Sequence, residues 1–207
     1  MNTKRSIALI LCAVLIAVSL GACGSADNTA KKDTVVIYIN DIFNTQNPFE
    51  TNAFSDQYMF NQVYETLAVM GPDGSPQPCL AKSWEISPDG MVYTIHLVDN
   101  AVFQNGEKMT ADDVVFTYTY AKDYPGRQLY YKMVDKAVAK DDYTVEFTLT
   151  APAPLFLIYS QSVPILNRKF VEENGGDISA CSCGTGPYKV VSYDASTGIK
   201  LEAFKDY

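Results

Sequence analysis

Few residues of this chain have the type and spacing that chemistry demands. His96 is its single histidine. A Ser-His-Asp arrangement could run only through it, and no nucleophile motif stands beside it. Asp112-Asp113 offers two carboxylates, the pair that general acid and base work requires. Adjacent residues on a helix point about 100° apart, so these two do not aim at one atom. Cys181-Ser182-Cys183 sets two thiols at Cys-x-Cys spacing, but a metal site wants further ligands nearby. Gly184-Thr185-Gly186-Pro187 has the look of a phosphate cradle. Pro187 has no N–H to give, however, and no P-loop lysine is in place. Gly-x-Ser-x-Gly, His-Glu-x-x-His, the P-loop and Gly-x-Gly-x-x-Gly are all missing from the sequence. These residues describe a non-enzyme, with no cofactor and no metal.

One reactive group carries a specific signal. Lys4 and Arg5 precede the apolar run Ile7–Leu20, which is short for a mature membrane span. Leu20-Gly21-Ala22-Cys23-Gly24 follows and reads as a bacterial lipobox. Met1–Ala22 is then a leader, and Cys23 takes a diacylglycerol thioether and becomes the mature N-terminus. The alternative is a plain secretory leader with an incidental cysteine. The small, polar stretch after Cys23, through residue 33, suits a flexible tether, and two acyl chains hold a protein on a membrane where one barely does. Cys12 leaves with the leader. Of the five cysteines, Cys79, Cys181 and Cys183 remain. A bridge from Cys79 to either of the others needs Cα atoms within about 7 Å; otherwise the thiols are small hydrophobes.

The elements that must position such groups are legible between Pro78 and Tyr118. Ser87-Pro88-Asp89-Gly90 fits a type I turn. It joins Ser83–Ile86, with the single tryptophan Trp84, to Met91–Leu97. There Met91, Tyr93, Ile95 and Leu97 share one face, which predicts a hairpin. Asn105-Gly106 marks a further turn. Thr110 caps a helix whose first turn holds Asp112 and Asp113, where the dipole favours carboxylates. Val114, Val115, Tyr118 and Ala121 form its buried stripe. Elsewhere, strands are predicted at Thr34–Asn40, Val134–Ala139 and Tyr143–Leu149. Ser55 is expected to cap a helix over Asp56–Leu67, with short helices at Leu155–Tyr159 and Arg168–Glu173. A last hairpin joins Tyr188–Tyr193 to Ile199–Phe204. With 207 residues, 47% of them hydrophobic and 19% charged, the chain is globular. A net charge of −8 without a basic patch excludes nucleic acid as a partner.

Several blocks taken together resemble a family. Val63-Tyr64-Glu65-Thr66-Leu67, Leu80-Ala81-Lys82-Ser83-Trp84-Glu85, Asp89-Gly90, Tyr93-Thr94 with His96-Leu97, and Val102-Phe103 with Gly106 are similar to the signature of family 5 extracellular solute-binding proteins. So are Thr110-Ala111-Asp112-Asp113-Val114 and Gly184-Thr185-Gly186-Pro187-Tyr188. The blocks run in register from about Asn47 to Tyr207. The resemblance implies a mixed α/β, type II periplasmic-binding-protein fold of which this is the N-terminal lobe. Residues 34–50 and 170–207 would form the core-sheet part, with 51–169 as an inserted subdomain and the second lobe missing. It implies capture of peptides for an ABC permease and its ATPase from the outer face of the cell membrane or the periplasm. Peptide would be held through its main chain as an added strand. The pairing segment falls at Asn52-Ala53-Phe54, the alternative being an ordinary loop. Tyr124, Tyr130 and Tyr131 either line the mouth of the cleft or pack in the lobe. The same scaffold also carries nickel or haem in the family. A surface lipoprotein with no transport role is the competing reading.

Overall fold

Two alternating stretches build the central sheet. In β4 (Val92–Leu97) the side chains of Tyr93, Ile95 and Leu97 are buried, and in β6 (Thr144–Leu149) those of Val145, Phe147 and Leu149. The period of two puts each set on one pleat face, and the two faces meet the same core. β4 and β6 pair antiparallel at the centre, flanked by β3 (Ala81–Ile86) and β5 (Val134–Asp141) in the order β3-β4-β6-β5. Full burial of each of these six side chains stabilises by roughly 1.5–3 kcal/mol. The computed structural model describes residues 45–51, 53–124, 132–194 and 197–207, with backbone only for Phe54. The leader, Cys23, the tether, the strand expected at Thr34–Asn40, Asn52, Tyr130 and Tyr131 lie outside these residues. The expected mixed α/β class stands, since helices cover the buried face of an antiparallel sheet.

Those helices read as follows. α1 is Phe54–Val63, α2 is Ala111–Tyr120, α3 is Phe156–Ser160 and α4 is Arg168–Glu173. α2 crosses the sheet through Tyr118, whose ring meets Phe147 at 4.7 Å. Phe156 of α3 closes the cluster, 4.9 Å from Tyr93 and 5.2 Å from Phe147. The Tyr118–Phe147 and Tyr93–Phe156 contacts are edge-to-face and add to area burial. The stripe of α2 differs from expectation at one position. Thr117 is fully buried while Val115 is only partly so. Thr117 is tolerated inside because it donates to the Asp113 carbonyl (2.7 Å) and accepts from the Leu166 N–H (2.9 Å).

The predicted cap of α2 forms. Asp113 Oδ2 accepts from the Thr110 N–H (2.9 Å) and hydroxyl (3.1 Å). Its other oxygen accepts from the Arg168 N–H (2.9 Å), so one carboxylate starts two helices. Glu107 ties the neighbouring turn to α4. It accepts from Lys169 (2.6 Å), Asn167 (2.8 Å) and Asn105 (2.9 Å). The hydrogen bond from Lys169, then those from Asn167 and Asn105, push its carboxyl down to about 2.

The helix expected at Asp56–Leu67 is corrected at both ends. It begins at Phe54, after Ala53 in extended backbone, and Ser55 is buried within it. It ends at Val63 because the Val63 carbonyl is taken by tertiary donors, the Gly186 N–H and the Gln104 amide, each at 2.9 Å. The chain turns extended at Tyr64 and pairs β1 (Ala68–Met70) with β2 (Pro76–Pro78) across the Gly71–Pro76 turn, a hairpin not read from sequence. β7 (Tyr188–Asp194) and β8 (Gly198–Ala203) form the expected last hairpin.

Candidate functional site

The segment expected to meet a ligand is delivered by the loop at residues 45–51. Its polar residues are inside: Thr45, Gln46 and Asn47 are all buried, Asn47 completely. Asn followed by Pro starts an Asx turn, and here Asn47 Oδ1 accepts from the Phe49 N–H (3.0 Å). Asn47 Nδ2 donates to the hydroxyls of Tyr120 and Tyr124, both at 3.1 Å, and to Glu50 Oε1 at 3.3 Å. Glu50 accepts from the Thr45 hydroxyl on its other oxygen (2.6 Å). Tyr120 donates onward to the Gly176 carbonyl (2.8 Å). Burial, reinforced by Tyr124 and opposed by Asn47, pushes the Tyr120 hydroxyl well above the usual phenol range. Phe49 packs against both rings, 6.1 and 6.2 Å away. Gln46 docks the other side of the loop: its N–H donates to the Ser179 carbonyl (2.8 Å) and its amide to the Ala180 carbonyl (2.7 Å).

Of the residues named from sequence, Ala53 is the N-cap of α1 and Phe54 its first residue. The Ala53 N–H donates to the Thr51 hydroxyl (3.0 Å), and its carbonyl accepts from the Gln57 N–H (3.3 Å). Asn52 lies outside the described residues, as do Tyr130 and Tyr131. Tyr124 is partly buried and belongs to the Asn47 cluster. Sequence reading missed that cluster, although the Asn47-Pro48 dipeptide signalled its turn. It also missed Gln104, whose amide donates to the carbonyls of Val63 (2.9 Å), Gly186 (3.2 Å) and Tyr188 (2.8 Å).

The remaining candidates stand apart from this loop. His96 is on the outward face of β4, with Nε2 3.7 Å from Glu85 Oε1 and Ser83 opposite on β3. Among the described residues no side-chain hydrogen bond joins Ser83 to His96, which face each other only as sheet partners. Cys79, Cys181 and Cys183 are free thiols. Burial pushes the Cys183 thiol up to about 11, which keeps it an unreactive, neutral group. Among the described residues no three His, Cys, Asp or Glu side chains stand together as a metal site, and no helix is long and apolar enough to cross a membrane.

Comparison with known proteins agrees with the sequence blocks. The model for bacterial extracellular solute-binding proteins, family 5 middle, matches residues 75–207. The glutathione-binding protein GsiB of Pectobacterium atrosepticum is 29% identical over 183 residues, 86% of this chain and 35% of that protein. NikZ of Campylobacter jejuni, solved in complex with Ni(L-His), superposes with a TM-score of 0.77 at 28% identity, covering 85% of this chain and 36% of NikZ. DppA of Helicobacter pylori, solved with the peptide STSA, gives 0.71 at 26% identity, covering 81% of this chain and 38% of DppA. The chain thus spans a little over a third of the length of the relatives it matches.

Proposed function

Because this chain belongs to the bacterial extracellular solute-binding proteins of family 5, we propose that it captures peptides outside the cytoplasm for an ABC permease and its ATPase. The fold is that of the type II periplasmic binding proteins, and the family binds solutes for transport instead of transforming them. The observation that carries the peptide reading is the superposition on DppA, which holds a peptide on the same fold. Glutathione, the ligand in the name of GsiB, is itself a small peptide. Residues 34–50 and 170–207 serve as the core-sheet part of the lobe and 51–169 as its inserted subdomain. Asn52, Ala53 and Phe54 present main chain to the ligand. The Ala53 N–H proposed to meet the ligand donates to the Thr51 hydroxyl at 3.0 Å. Tyr130 and Tyr131 are proposed as further ligand contacts.

The chain spans a little over a third of its relatives' length, and we propose that it gives one wall of the binding cleft. This chain alone therefore binds peptide weakly, with a Kd on the order of 1 mM or above, about 4 kcal/mol of binding free energy. NMR titration of the full chain with Ser-Thr-Ser-Ala and with glutathione tests this. The Thr51, Ala53 and Gln57 amides shift together while those of β4 and β6 stay still. Shifts confined to the sheet, or none at saturating peptide, overturn the reading.

Cys23 carries the lipid anchor that holds the protein on the outer face of the membrane. Mass spectrometry of the chain matured in a bacterial host finds the diacylglyceryl adduct on Cys23. A mature N-terminus elsewhere, with Cys23 unmodified, refutes the anchor.

A further inference from the structure

We propose that the Asn47 carboxamide is the positioning residue of the ligand segment: it fixes the approach of Thr51 and Ala53 by tying their loop to the end of α2 and, through Tyr120, to the turn after α4. This rests on the reading of that segment as the ligand's partner.

The argument is one of counting protons. Tyr120 has one hydroxyl hydrogen, and it goes to the Gly176 carbonyl. In the 2.7 Å contact between the Tyr120 and Tyr124 hydroxyls, Tyr124 must therefore be the donor. Both hydroxyl hydrogens are then committed, and each oxygen still takes an N–H from Asn47. Asn47 Nδ2 has two hydrogens for three acceptors, the third being the Glu50 carboxylate. Its Oδ1 is held by the Phe49 N–H. A fully buried carboxamide with its donors and its acceptor all engaged has one orientation. The backbone it fixes, Asn47 to Phe49, leads within two residues to Thr51, whose hydroxyl holds the Ala53 N–H.

An aspartate at this position would keep the acceptor for Phe49 and lose both donors. Its carboxylate would face two hydroxyl oxygens whose hydrogens point elsewhere, and the Glu50 carboxylate 3.3 Å from the present amide nitrogen. Like charges that close repel. The titratable groups facing the position are Glu50, Tyr120 and Tyr124.

The test compares the full chain with Asn47→Ala and Asn47→Asp by amide hydrogen exchange and by peptide titration. Asn47→Ala is expected to speed exchange at Phe49 and Ala53 roughly tenfold, while β4 and β6 amides keep their rates, because only a local unit opens. Its affinity for Ser-Thr-Ser-Ala falls about fivefold, as for loss of one buried hydrogen-bond cluster. Asn47→Asp is expected to speed exchange at Phe49 and Ala53 in the same way, because both donors are lost. The proposal is overturned if Asn47→Ala leaves Ala53 exchange unchanged, or if β4 and β6 loosen in parallel. It is equally overturned if Asn47→Asp matches the parent. Exchange is read without peptide, so a wild-type chain that ignores peptide while Asn47→Ala loosens Ala53 refutes the ligand assignment separately.

Discussion

Adding one methyl group at Gly184 is expected to abolish cooperative folding. A Cβ there would lie 2.0 Å from the Val63 carbonyl oxygen and 2.8 Å from the Tyr64 ring. The neighbour is backbone and has nowhere to go. Val63 O already accepts from the Gly186 N–H and from Gln104, and it marks the last turn of α1. Gly186 is packed the same way, 2.6 Å from the Gln62 carbonyl. Neither glycine has positive φ, so both are required for space alone. Gly106 is the contrast: its φ is +88°, but a Cβ would meet nothing. Gly106→Ala therefore costs only about 1 kcal/mol of backbone strain, whereas Gly184→Ala costs more than ~4 kcal/mol, in the range kept for severe steric or burial faults. Urea unfolding followed by circular dichroism measures both. A Gly184→Ala protein within about 1 kcal/mol of the parent would refute this account of the joint.

Gly184 also shows where sequence reading stopped. The motif Gly184-Thr185-Gly186-Pro187 reads as a tight turn re-entering the lobe. What it re-enters against, the end of α1 and the Gln104 side chain, depends on contacts about 80 and 120 residues away, beyond any local pattern. The same cause displaced α1. Propensity extends that helix to Leu67 and starts it after Ser55. Tertiary hydrogen bonds to Val63 cut it short instead. By contrast β4, β6, α2 and the final hairpin were legible, because period, turn residues and caps are local and agree with one another. In the candidate site the Ala53–Phe54 position came from the family blocks, not from residue chemistry. The Asn47 cluster was invisible because its partners, Tyr120, Tyr124 and Gly176, are brought in from two other elements.

Asp113→Ala is the second large effect. The substitution removes the Asp113 half of the α2 capping box, worth about 1 kcal/mol. It also leaves the Thr110 and Arg168 N–H groups without their acceptor at a part-buried joint, which adds roughly 1–3 kcal/mol. A total near 2–4 kcal/mol is expected, with α4 loosened at Arg168 as well as α2 at Thr110. The pH dependence of this loss has a definite sign. Burial lifts the Asp113 carboxyl above the usual carboxylate range. The Arg168 N–H and the Thr110 N–H and hydroxyl hold it partly back, and the Asp112 charge adds to the lift. An acid whose folded value is raised stabilises fully below its unfolded value, about 3.9. That contribution fades as pH rises through the folded value. Every other group titrates in both proteins and cancels in the difference. The gap between the parent and Asp113→Ala is therefore widest near pH 4 and narrows toward pH 7. Urea midpoints of the pair at three pH values measure it. A gap that widens with rising pH would mean that the three donors outweigh burial, and that Asp113 acts chiefly as an anion joining the two helix starts.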